Sequence, residues 1–312
     1  MNIFKKIFGT APAEDLTITE RAEGCMMGLM CGDALGAPVE FHSPYDFKAK
    51  YPHGIHDMEN GWGVTCFIKK GEITDDSEMA ICLLHSLVKS QGYNKKEALA
   101  QYKGWLASGP SDVGITIRCA LRGSYNPDSQ ANGALMRVAP LAIHAALHPE
   151  ADWQTAAADD CALTHINAHC RCANIVYVES VMLAIQGKTP EFIYEAACNR
   201  AKELQNDVLI DLLKKAATEE PAYYPQAGWL NIAFQAAYYW LLHAKDYPSA
   251  MRAIVNKMGD PDTNAAIAGA LLGAIYGRRG IPAHWQSTVL NYKNDRPAVY
   301  HATTAMELLT KL

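Results

Sequence analysis

The residues best equipped for chemistry form two acidic clusters, each at the head of an apolar run. Thr74-Asp75-Asp76-Ser77 lies in GEITDDSEMAICLL (residues 71–84), and Gly259-Asp260-Pro261-Asp262-Thr263 opens a second run near the far end of the chain. Carboxylates beside hydroxyls are hard oxygen donors, a set suited to Mg²⁺, Mn²⁺ or Ca²⁺ rather than zinc. Each cluster also has an ordinary reading. Thr74 or Asp75 can be an N-cap with Glu78 completing a capping box, and acidic residues favour the positive end of a helix in any case. Asp260 can be an N-cap with Pro261 at the first helical position. Two such starts in one chain are nevertheless what a two-metal site needs, since adjacent cations must be neutralised and bridged. The sequence therefore predicts that the fold brings both starts together around divalent cations.

Three further stretches carry candidate groups. Asp112 sits in SGPSDVG (residues 108–114), either as a turn aspartate or as a carboxylate on a stiff loop that bridges metals or acts as general base. Asn132-Gly133-Ala134-Leu135-Met136-Arg137 reads as a helix start whose free N–H groups can hold a diphosphate, with Arg137 as a structural ion-pair partner. His165 and His169, four apart and close to Cys170 and Cys172, invite a zinc reading. The paired spacings of stable zinc sites are incomplete here, so buried, hydrogen-bonded histidines are the expectation. The run Asp75-Asp76-Ser77-Glu78-Met79 lacks the DDxxD of all-α isoprenoid-diphosphate enzymes, which argues against that class.

The elements that must position these groups read as helix upon helix. Residues 18–35 carry Gly24, Gly28 and Gly32 on one face, which predicts close contact with another helix to offset their intrinsic cost. Residues 42–71, rich in Pro, Gly, His and aromatics, predict a long ordered loop. Helical periodicity then covers residues 75–90, 95–108, 116–122, 133–147, 151–164, 169–186, 190–204, 208–218, 228–242, 247–258, 262–276 and 301–311. No stretch shows the alternation of strands, and no linker or repeat divides the chain. The expected fold is one all-α domain, residues 20–312, preceded by an arm over residues 1–19 whose Ile3, Phe4, Ile7 and Phe8 are apolar at helical spacing.

The chain has 312 residues, is 49% hydrophobic and carries a formal net charge of −5. It is long enough to bury a sizeable core, and its charge gives no support to a nucleic-acid partner. Nine cysteines without a CxxC pair point to reduced thiols. The N-terminus lacks the features of a secretory signal, and the longest apolar stretch, residues 227–242, is short for a bilayer. A cytoplasmic protein with no membrane partner is the expectation.

Taken in order, GDALGAPVEF (32–41), TDDSEM (74–79), SGPSDVG (108–114), NGALMRVAPL (132–141), Thr164-His165 and GDPDTNAAIAGALLGAIYG (259–277) resemble the ADP-ribosylglycohydrolase family over about residues 24–280. The branch most resembled is the dinitrogenase reductase-activating glycohydrolases, which remove ADP-ribose from arginine. Any one motif is weak; six in the same order are specific. The resemblance implies a single-domain, multi-helix orthogonal bundle. It implies two Mg²⁺ or Mn²⁺ ions held by Thr74, Asp75, Asp76, Asp260, Asp262 and Thr263, and a bridging, catalytic Asp112. It further implies ADP-ribose contacts from Asn132, Gly133, Met136 and His165. Glu40 ends the first motif, where a sister branch has a catalytic glutamate; its role here stays open.

The implied activity is metal-dependent hydrolysis of the N-glycosidic bond of ADP-ribosylated arginine on protein. The implied partners are the modified protein and a cognate ADP-ribosyltransferase. The alternative is an ADP-ribose-binding or toxin-immunity protein that acts by contact through the N-terminal arm. Two positions depart from the family pattern: Pro261 stands where a small or polar residue is usual, and Met258 replaces a glycine.

Overall fold

The structure, a computed structural model, describes residues 15–63 and 66–312, which fold into fifteen α-helices and one two-stranded hairpin. In chain order these are α1 (Ile18–Gly36), α2 (Pro44–Lys50), β1 (Gly61–Trp62), β2 (Phe67–Ile68), α3 (Asp75–Ser90), α4 (Lys95–Ala107), α5 (Ile115–Leu121), α6 (Ala139–Leu147), α7 (Trp153–Ala162) and α8 (Ala168–Ile185). There follow α9 (Pro190–Glu203), α10 (Asp207–Ala216), α11 (Leu230–His243), α12 (Tyr247–Val255), α13 (Pro261–Tyr276), α14 (Ala283–Asn291) and α15 (Ala302–Leu309). The all-α expectation holds.

The glycines of α1 decide the centre of the molecule. Gly24, Gly28, Gly32 and Gly36 face Gly273, Gly269, Ala265 and Asp262 of α13 in turn, so the two helices run antiparallel. A Cβ built on any of the four would overlap the opposing backbone. The predicted close contact is therefore real, and its partner is α13. Both helices are buried almost throughout, as expected for a central pair wrapped by others. Tyr247 of α12 donates its hydroxyl to Gly28 O at 2.7 Å, and Tyr177 of α8 donates to Ile267 O at 2.7 Å. The seam ends with Gly36 against Asp262, which delivers the second acidic cluster to the end of α1.

Several predicted boundaries shift for identifiable reasons. The expected loop over residues 42–71 contains α2, capped by the Ser43 hydroxyl, which accepts from Asp46 N at 3.1 Å. It also contains the hairpin, with Gly61 opposite Ile68 and Trp62 opposite Phe67. Strands of two residues carry no alternation to read. The predicted helix over residues 133–147 begins only at Ala139, because Pro140 cannot donate to a preceding turn. The tail contains an additional helix, α14, that periodicity did not reveal.

Among the described residues, no helix is long and apolar enough to cross a membrane. All nine cysteines are free, and Cys119 is exposed. The expected arm over residues 1–19 falls mostly outside the described residues. Within them, Thr17 already caps α1 through a full capping box with Glu20.

Candidate functional site

The start of α3 does not use its own residues as caps. Thr74 occupies the N-cap position without a side-chain capping bond, and Glu78 is turned to other partners. Asp33, one turn before the end of α1, supplies the acceptor instead. Its carboxylate accepts from Thr74 N (2.9 Å), Thr74 Oγ1 (2.9 Å), Ser77 N (3.2 Å) and Ser77 Oγ. Capping from a distant helix leaves the Asp75 and Asp76 side chains unspent. Sequence reasoning missed Asp33, whose only local signal is an aspartate within an otherwise apolar buried helix.

The start of α13 is arranged by different means. Asp260 is the N-cap residue, again without a side-chain capping bond, and Pro261 at the first helical position has no N–H to satisfy. The Asp260 carboxylate instead accepts from Asn132 Nδ2 at 2.6 Å. Thr263 Oγ1 reaches Asp76 Oδ2 at 3.5 Å, joining the two starts across 187 positions of sequence. Pro261 is thus compatible with the helix start. Met258, where a glycine was expected, adopts a left-handed backbone conformation (φ 63°), which glycine accepts at lower cost.

Two groups of oxygens result. One carboxylate oxygen from each of Asp33, Asp76 and Asp262 lies within 4.8 Å of the others, and the same holds for Glu40, Asp260 and Asp262. Asp76 Oδ1 and Asp262 Oδ1 are buried and have no hydrogen-bond partner. Buried polar atoms are rarely left unpaired, so these two oxygens fit a cation. The acidic clusters can therefore hold a metal ion. Asp33 is the exception, since both its oxygens are engaged by α3.

Crowding governs the charges. Burial, reinforced by Asp33 and Asp75, holds Asp76 well above the ordinary carboxylate range. Burial and the neighbours Glu40, Asp260 and Asp76 do the same to Asp262. Asp75 is raised by burial and by Asp112 and Asp33, and burial pushes Asp33 up to about 6. A divalent ion would reverse this penalty by favouring the ionised forms.

Asp75 and Asp260 also line a cavity of about 480 Å³ whose wall includes Glu40, Asp112, Asn132, Gly133, Met136, His165 and Thr263. Thr74, Asp76 and Asp262 lie beneath this floor, buried. Every residue singled out from the sequence is therefore at the cavity or directly behind it. Asp112 sits on the loop before α5, beside Gly114, whose N–H donates to Asp75 Oδ2 at 3.4 Å. Glu40 and Asp112 hydrogen-bond through their carboxyl groups, which requires one proton between them, and burial raises both.

Asn132 and Gly133 do not begin a helix as expected. They form an irregular turn before α6, in which Leu135 and Met136 donate to Asn132 O. Arg137 is the anticipated structural partner. It is fully buried, pairs with Asp160 at 3.2 Å, and donates to Gly133 O (3.2 Å) and Thr164 Oγ1 (2.8 Å). Thr164 Oγ1 lies 2.8 Å from His165 Nδ1. Since arginine only donates, the threonine proton is left for Nδ1, which assigns the ring hydrogen to Nε2. Burial lowers the His165 pKa to about 3, so the ring is neutral. His169 is engaged by Asn231 Oδ1 (2.6 Å) and Asn206. Neither histidine nor Cys170 or Cys172 belongs to a metal-binding group among the described residues.

Comparison with known proteins agrees with this geometry. The family model for ADP-ribosylglycohydrolases matches residues 14–310. The chain is 31% identical to ADP-ribosyl-[dinitrogen reductase] glycohydrolase of Rhodospirillum rubrum, over 90% of this chain and 93% of that protein. It is 25% identical to ADP-ribosylarginine hydrolase Tri1 of Pseudomonas putida, over 86% and 74%. A solved structure titled ADP-ribosylglycohydrolase-related protein complex superposes with a TM-score of 0.77 at 27% identity, covering 94% of this chain and 98% of that one. The chain belongs to the ADP-ribosylglycohydrolase family.

Proposed function

We propose that the protein hydrolyses the N-glycosidic bond between ADP-ribose and an arginine side chain on a protein, with two Mg²⁺ or Mn²⁺ ions. The observation that carries this reading is the meeting of the two acidic helix starts beneath one cavity, with two buried carboxylate oxygens left unpaired. Names of similar proteins, arginine-directed or directed at dinitrogen reductase, support the choice of linkage. Thr74, Asp75, Asp76, Asp260, Asp262 and Thr263 would hold the ions. When bound, the ions supply Lewis-acid charge that fixes the ribose hydroxyls and offsets the crowded carboxylates.

The chain's own residues account for the rest. Asn132, Gly133, Met136 and His165 line the wall against which ADP-ribose would lie. The neutral His165 offers a hydrogen-bond donor at Nε2. Cleavage breaks the bond from C1 of the distal ribose to a guanidine nitrogen, and a water oxygen takes its place on C1. One water proton passes to the departing nitrogen. Asp112, already sharing a proton with Glu40, is placed to take and return that proton. Positive charge developing on the ribose is stabilised by the same carboxylates.

The test is incubation with ADP-ribosyl-arginine and ADP-ribosyl-serine peptides, with and without EDTA, following free ADP-ribose. Arginine-linked substrate should be cleaved and EDTA should abolish release. Asp112→Asn should lower kcat by about 10²- to 10⁴-fold. Unchanged turnover in that variant would remove Asp112 from the mechanism.

A further inference from the structure

The tail between α14 and α15 carries none of the motifs, yet it reaches the back of the site through one side chain. Arg296 donates from Nε to Glu78 Oε1 and from Nη2 to Glu78 Oε2, both at 2.8 Å. The other edge of the same guanidinium donates from Nη1 to Ser108 O and from Nη2 to Ser108 Oγ, both at 3.0 Å. Trp105 Nε1 adds a bond to Glu78 Oε2 at 2.6 Å, and Ser108 Oγ donates to Trp105 O at 2.6 Å. The pair is well shielded, with the Arg296 and Glu78 side chains 12% and 6% exposed.

We infer that Arg296 is a positioning residue that clasps the loop bearing Asp112 to the first turn of α3. Glu78 lies one turn beyond Asp75, so holding its carboxylate fixes the rotation of the turn that presents Asp75. Ser108 ends α4 and is the root of the loop to Asp112, which then passes through Gly109 in a left-handed conformation (φ 70°). A glycine there leaves a flexible joint, so the geometry of Asp112 relative to Asp75 depends on where the root is tied. One planar, two-edged cation ties both, and a lysine cannot engage two edges at once. The carbonyl of Arg296 is held in turn by His301 Nε2 at 2.9 Å. The inference rests on the working roles proposed above for Asp112 and Asp75.

Two measurements test it on the full chain. In metal-free protein, Arg296→Gln should speed amide hydrogen exchange at residues 109–114 by about tenfold or more while leaving α10 unchanged. In metal-loaded protein, the same variant and Arg296→Lys should lower kcat by about 10- to 100-fold. KM and the dissociation constant of free ADP-ribose should move by less than about twofold. Arg279→Gln, which breaks only exposed pairs with Asp15 and Glu20, should leave kcat unchanged. If Arg296→Gln does not fold, Ser108→Ala removes one acceptor and should give the same split in milder form. Unchanged exchange at residues 109–114, or a loss of thermal stability with kcat intact, overturns the clasp. A wild-type protein that releases no ADP-ribose defeats the activity reading instead, and the exchange experiment still decides the clasp.

Discussion

The two acidic helix starts look alike in sequence and are built by opposite means. The start of α3 is set by hydrogen bonds, four of them converging on Asp33. The start of α13 is set by backbone contact, with Gly36 pressed against Asp262 and Pro261 needing no partner. In both, the side chain that would ordinarily cap the helix is relieved of that duty. The difference teaches that an acidic helix start becomes available for chemistry when something outside the helix finishes its terminus.

The comparison breaks most completely if one start is disarmed. Because the two share a centre, Asp76→Ala and Asp262→Ala should each lower turnover by about 10³-fold or more, with matching loss of metal affinity by calorimetry. If one variant kept most of its activity, the starts would be serving separate sites.

A second pair of variants attacks the two building methods. Gly36→Ala forces a methyl into backbone and should destabilise the fold by about 3 kcal/mol. Asp33→Ala leaves N–H groups and hydroxyls of α3 unsatisfied and should cost about 2 kcal/mol. Denaturant melts measure both, and equal losses, or a milder loss for Gly36→Ala, would blur the distinction.

The smallest effect sharpens the electrostatics. Asp75, Asp76 and Asp262 hold protons more tightly folded than unfolded. In metal-free protein they therefore add stability as pH falls from neutral, since the folded state then binds more protons than the unfolded one. His165 acts oppositely: with a folded value of about 3 against 6.5, it withdraws stability as pH falls below 6.5. Metal must displace the carboxylate protons, so the rise in Tm on adding Mg²⁺ or Mn²⁺ should shrink between pH 7.5 and 5.5, with affinity dropping about tenfold per pH unit for each proton displaced. A rise independent of pH would mean the carboxylates are already ionised.

Much of this was legible in the sequence, and the failures share a cause. The glycines of α1 announced a close helix contact because the signal is periodic and local. The acidic starts announced themselves by residue type. What could not be read was which partner each group takes at long range. Thr74 and Glu78 spell a capping box, yet Glu78 pairs with Arg296, 218 positions away. Asp33 looked like one more residue of a buried helix. The helix over residues 133–147 was drawn too long because its apolar pattern runs on through Pro140, although the proline itself was the available warning. The hairpin was missed because two-residue strands hold too few side chains to show a pattern.

The seam between α1 and α13 carries a last implication. Ordinary helix pairs are spaced by side chains, and repacking those side chains lets the spacing drift over time. Here main chain rests on main chain, so the separation of Asp33 from Asp262 is a ruler cut from peptide geometry alone. Divergence among such proteins is then channelled outward, to the loops that frame the opening, while the gauge at the centre stays as it is.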